Sequence, residues 1–161
     1  MLDQHFGFFP NVTRSNTNTK NALELREKQE VYYITRTYQT RHGNGYMTNE
    51  DLEVKPELKN NENETNVLDE YQGVFRKSLL DIDLLNYAHN NDIYSKGLTK
   101  HLMITCADQV AEKFPVTKKG KIIEVEAEEI AWHLDTQFTD VFISRGPTIK
   151  DIERCKIRQL Y

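Results

Sequence analysis

Apolar positions along this chain fall into short runs separated by polar, turn-rich stretches, and the spacing within each run predicts its element. Residues 19–30, TKNALELREKQE, combine Asn and Thr caps with good helix formers and place Ala22, Leu23 and Leu25 on part of one face, which predicts a short helix. Residues 31–39 are rich in β-formers. Val31, Tyr33, Thr35 and Thr37 alternate with Tyr32, Ile34 and Tyr38, so apolar groups lie on both faces and predict a strand inside a sheet. Residues 40–50, TRHGNGYMTNE, read as a loop. Residues 53–66 are charged, Asn-rich and without period, an exposed connection within one α/β domain over 1–161. A hairpin needs a matching strand straight after its turn, and this linker offers none, so Gly43 and Gly45 are expected to make room for a ligand beside the backbone. Residues 75–90 are dense enough in Leu, Ile and Tyr for a packed helix, with Ser78 or Asp81 as its cap. HLMITCAD (101–108) and DVFISRGPT (140–148) are apolar runs with polar tips. KGKIIEVEAEEIAWHLDT gives a strand and then a helix at about 128–134, and TIKDIERCKIRQLY closes with a helix.

Strands alternating with helices predict an α/β fold. Three strands end in polar tips, TRHGNG, TCAD and SRGP, and in open α/β sheets such ends line the ligand crevice. Ordinary turns explain each tip about as well; three together point to a nucleotide-sized site. Composition narrows this picture. With 38% hydrophobic and 29% charged residues and a net charge of −4, the chain reads as polar and soluble, and the charge argues against a nucleic-acid backbone binder. No apolar run approaches the ~20 residues of a membrane span, and the N-terminus lacks the regions of a signal peptide. Cys106 and Cys155 show no metal-ligand spacing, so no metal site is predicted and a reduced, cytoplasmic protein is. The opening MLDQHFGFFPNVTRSNTNT is apolar and aromatic at its very end, which predicts an upstream segment covering it.

In this order the segments resemble the C-terminal part of the adenylosuccinate synthetase family. LDQHFGFFPNVTRSNTNT is similar to the family's LDIDHGTYPFVTSSNTT, and ITRTYQTRHGNGYMTNE to its KAYSTRVGAGPFPTE. GVFRKSLLDIDLLNYA, LMITCAD and FISRGPTIKDIE resemble its GWFDAVALRRAV, LTKLD and ISTGPxRxxT segments. The resemblance implies a P-loop-NTPase-like, mostly parallel sheet with flanking helices whose N-terminal part is missing. It also implies a ligase that condenses IMP with aspartate, driven by GTP and Mg²⁺, in a homodimer. Thr13, Ser15 and Asn16 would face the nucleoside monophosphate, with Arg41, His42 and Gly43 nearby, the last two by the ribose. Arg76 sits in a matching motif suited to phosphate or carboxylate. Thr105, Asp108, Ser144 and Gly146 would surround the base of the triphosphate. Residue type alone leaves blander readings open: loop and cap residues at Thr13, Ser15 and Asn16, a helix cap at Asp108, a turn donor at His42, and solvated charges at Arg14, Arg41 and Arg76.

Several features depart from the family pattern. The family's GDEGKGK loop and catalytic histidine do not occur, so the chain reads as a C-terminal portion without phosphoryl-transfer residues. NETNVLDEYQ (63–72) replaces the arginine-rich aspartate loop, leaving Thr65, Asn66 and Arg76 as substitutes. Cys106 stands for the family's lysine and His42 for its valine. These departures resemble a branch that acts on dGMP and uses ATP; a non-catalytic nucleotide-binding remnant is the alternative from another class.

Overall fold

The computed structural model describes residues 3–23, 29–59 and 73–155. Its elements are α1 (Lys20–Leu23), β1 (Glu30–Arg36), β2 (Tyr38–His42), β3 (Phe75–Asp81), α2 (Ile82–Asn91), β4 (Thr99–Thr105), β5 (Phe114–Lys118), β6 (Lys121–Val125), β7 (Asp140–Ser144) and β8 (Ile152–Cys155), with short 3₁₀ turns at Ile93–Ser95, Ala127–His133 and Ile149–Asp151. The strands form two four-stranded sheets, in orders β1-β4-β7-β8 and β2-β3-β5-β6. In the first, β1, β4 and β7 run parallel and β8 antiparallel. In the second, only β3 and β5 are parallel. The expected α/β class and parallel sheet are present, and the second sheet is an addition to that expectation.

Four elements differ from their sequence reading. The run at 31–39 breaks at Thr37, which is buried and donates through Oγ1 to the Cys106 carbonyl. The chain thereby leaves one sheet and enters the other. Among the described residues β1 pairs only with β4, and Tyr32 and Ile34 are exposed rather than sandwiched. Residues 75–81 are a strand, not a helix. Leu79 and Leu80 are both buried, and an apolar run this dense fits either element. The cap at Asp81 holds: its carboxylate accepts from the Asp83 and Leu84 amides and starts α2 there. Of the closing segment at 148–161, Ile152–Cys155 form β8 rather than a helix, because Cys155 through Ile152 pair with Val141 through Ser144 and Arg154 reaches back to Asp140; 156–161 lie outside the described residues. The segment at 127–133 winds as 3₁₀, with Glu129 accepting from the Glu126 amide. Of the expected helix at 19–30, α1 covers the start, and 24–28 lie outside the described residues.

Residues 40–42, expected as loop, extend β2 to His42, and no strand follows the loop directly: the antiparallel partner β3 begins at Phe75, which lies opposite His42. Part of the linker, 53–59, has no regular structure, but Leu58 packs on the core and the Lys59 amide donates to the Gln109 carbonyl. The core joins both sheets through Tyr38, Leu80, Ile82, Leu102, Ile104, Val116, Ile130 and Ile143. Each such aliphatic side chain, fully out of water, contributes about 1.5–3 kcal/mol. Among the described residues no helix is long and apolar enough to cross a membrane.

Candidate functional site

A cleft of about 350 Å³ opens where β2 leaves its sheet, lined by Phe8, Gln39 to His42, Tyr46 to Thr48, and Leu84 of α2. Three separate segments build it, and each is pinned. The Gln39 amide donates to the Leu79 and Thr48 carbonyls, while its oxygen accepts from the Thr48 hydroxyl. Arg41 spends its guanidinium on three backbone carbonyls, those of Asn44 (3.0 Å), Tyr46 (3.4 Å) and Asn11 (3.2 Å). Arg76, directly across the strand pair from Arg41, donates to the Gly45 carbonyl at 2.7 Å and pairs with Glu50 at 2.6 Å. Two arginines facing each other repel; here loop carbonyls and one carboxylate neutralise them.

Gly45 is the hinge of this arrangement. Its φ of 108° suits glycine, and a Cβ there would come within 2.3 Å of Arg41 Nη2 and 2.7 Å of Asn11 Cβ. The room expected at Gly45 for a ligand is therefore occupied by Arg41. Gly43 follows β2 at a φ of 67° and turns the chain out of the strand. His42 stacks on Phe75 at 4.9 Å between ring centres. Its Nδ1 is buried, and the ring makes no hydrogen bond among the described residues. At the mouth Phe8 and Tyr46 meet edge to face at 5.2 Å and are both exposed.

The N-terminal loop that carries Phe8 also carries Thr13, Ser15 and Asn16. Thr13 is exposed, Ser15 ties back to Gln4 and Thr13 through the backbone, and Asn16 donates to Asn21. None of the three lines the cleft. Two buried carboxylates hold the loop at its ends. Asp3 accepts from the His5, Phe6 and Thr17 amides. Burial pushes its carboxyl up, and these N–H groups outweigh that and leave it below the usual carboxylate value. Asp92 accepts from Thr19 and from the Tyr33 hydroxyl, whose oxygen also lies within hydrogen-bond distance, 2.7 Å, of Ser95 Oγ. Beside them His89 packs on Tyr33, and burial, then the charge of Lys100, pull its pKa down to about 4 against a weaker pull from Asp92.

The second group of sequence candidates lies at the C-terminal ends of β4 and β7. The Thr105 hydroxyl donates to the Thr35 carbonyl, and the Ala107 amide to the Ser144 carbonyl at 3.1 Å. Ser144 Oγ donates to the Gly146 carbonyl, and a Cβ on Gly146 would meet Asp151 at 2.7 Å. Asp108 is exposed and makes no hydrogen bond or ion pair among the described residues. No helix follows it, so the capping reading falls. Thr65 and Asn66 lie outside the described residues. Phe8, Gln39, Thr40, Tyr46, Met47, Thr48 and Leu84 escaped sequence reasoning; Gln39, Thr40 and Tyr46 to Thr48 adjoin the glycine-rich loop, whereas Phe8 and Leu84 come from distant segments that no spacing ties to it. Among the described residues no group of three or more His, Cys, Asp or Glu side chains could hold a metal ion.

This is the frame of an α/β protein with a small-molecule cleft between a strand end, its loop and a helix. Residues 1–134 match the adenylosuccinate synthetase family, and the chain belongs to that family of purine-nucleotide ligases. A comparison with curated proteins found no match.

Proposed function

We propose that the chain supplies the nucleotide-holding surfaces of a ligase that condenses IMP with aspartate at the expense of GTP, in the cytoplasm. The observation that carries this reading is the cleft at β2, braced by Arg41 and Arg76 and open at Phe8 and Tyr46, within a chain of this family. The monophosphate would sit in the cleft. The triphosphate's base would meet Asp108, whose unpaired carboxylate suits the paired N–H donors of guanine. The Mg²⁺ of such a reaction finds no ligand set among the described side chains, so no step is assigned through it. Cys106 and His42, which differ from the family's usual residues, favour a second reading in which dGMP and ATP replace IMP and GTP. Calorimetric titration of the chain with IMP, dGMP, GTP and ATP tests both. Binding of IMP and GTP supports the first reading, binding of dGMP and ATP the second, and no binding by any of them contradicts both.

A further inference from the structure

The loop after β2 is held by its carbonyls. Arg41 Nε donates to the Asn44 carbonyl at 3.0 Å, Arg76 to the Gly45 carbonyl at 2.7 Å, and Arg41 Nη1 to the Tyr46 carbonyl at 3.4 Å. The nitrogen side of the Asn44–Gly45 link is left open. Among the described residues neither the Gly45 N–H nor the Asn44 side-chain amide makes a hydrogen bond, and Asn44 is exposed to water. Gly45 has no side chain to shield its nitrogen, because Arg41 fills the space where a Cβ would lie. This is the one Asn-Gly pair in the sequence. A backbone nitrogen in this setting can attack the carbonyl of the Asn side chain before it. Peptide resonance spreads the charge of a deprotonated nitrogen onto the neighbouring carbonyl oxygen. Here that oxygen is the one bonded to the Arg41 guanidinium, which stabilises the charge as it forms.

We propose that Asn44–Gly45 is a self-modification site, primed by Arg41, at which Asn44 deamidates and leaves a carboxylate beside the cleft. This goes beyond the ligase reading and holds whatever the cleft binds. The Gly45 nitrogen gives its proton to water and bonds to Asn44 Cγ. The Cγ–Nδ2 bond breaks, and Nδ2 takes up a proton and leaves as ammonia. Water then opens the imide ring, and no electrons are exchanged with any other reagent. Opening at Cγ gives aspartate. Opening at the Asn44 backbone carbonyl gives isoaspartate, whose chain runs on through Cβ and Cγ. In the isoaspartate the oxygen that Arg41 holds belongs to the new carboxylate, so a neutral partner of the guanidinium becomes an anionic one. The cation in the cleft wall is thereby neutralised.

The test follows intact mass and a peptide map of the full chain kept in mildly alkaline buffer, beside the same chain unfolded in urea. A gain of about 1 Da should appear with time, and the map should place it at Asn44 with isoaspartate among the products. The folded chain should react about tenfold faster than the unfolded one, in which Arg41 no longer holds the carbonyl. Arg41→Leu should remove that advantage, and Asn44→Gln, whose longer side chain closes its ring less readily, should abolish the gain. The proposal is overturned if the gain falls on other asparagines, if folding leaves the rate at Asn44 unchanged or slows it, or if folded Arg41→Leu reacts as fast as the wild type. Should Arg41→Leu fail to fold, the comparison of folded with unfolded wild type decides alone.

Discussion

Around the cleft, long side chains do the holding: Arg41, Arg76 and Gln39 reach across to loop carbonyls and freeze residues 43–50 against β2 and β3. At the ends of β4 and β7 the backbone largely holds itself, through Ala107 on Ser144 and the Ser144 hydroxyl on Gly146, and the Asp108 carboxylate has no partner among the described residues. The first region thus owes its shape to side chains that no ligand need touch. The second exposes a charged group on a frame that would survive its removal. Mutations should therefore damage shape in the first region and affinity in the second.

The largest expected effect tests whether the two regions come apart under acid. His89 packs beside Asp92, which anchors the N-terminal loop of the cleft at Thr19. Its folded pKa of about 4 lies below the ordinary 6.5. Its contribution is therefore complete above pH 6.5 and is lost as pH falls through 4, up to roughly 3 kcal/mol. His133, also lowered by burial and then by Lys118, adds in the same direction. Urea unfolding across this window should show the loss, and His89→Phe should flatten most of it. Hydrogen exchange at pH 4.5 should open residues 3–19 and 39–48 before 101–107.

Next in size is Gly45→Ala, which forces a side chain into positive φ and into Arg41 and Asn11. A loss of about 2 kcal/mol in stability is expected. IMP affinity should fall and GTP affinity should not, by titration. The smallest is Asp108→Asn. It should weaken GTP about tenfold, consistent with one charge-assisted bond, while changing stability by no more than about 0.5 kcal/mol. If Asp108→Asn also weakens IMP, the two regions are not independent.

Much of the frame was legible because β4 and β7 are short apolar runs with polar tips, a pattern few other elements produce. The second sheet was not. β3 hides inside a run whose density also fits a helix, and β5, FPVTK, carries a proline and too few residues to show a period. The break at Thr37 was invisible because alternation continues across it; a buried hydroxyl bonded to the Cys106 carbonyl turns the chain. In the site, glycine and arginine marked the loop that lines the cleft, but their spacing did not show what they do within the fold. Gly45 makes room for Arg41, and Arg41 braces carbonyls. Such assignments depend on which partner lies across the strand pair, which one chain's spacing does not encode. Asp108 was read with two options, and the missing helix after it removed one.

The claim that two separate regions hold two nucleotides is tested most directly by amide and histidine-ring NMR shifts of the chain during titration with IMP and, separately, with GTP. IMP should move the signals of Gln39 to Thr48, His42 foremost, and GTP those of Thr105 to Asp108 and Ser144 to Gly146. Movement of one shared set by both ligands, or of neither set by IMP, would contradict the account.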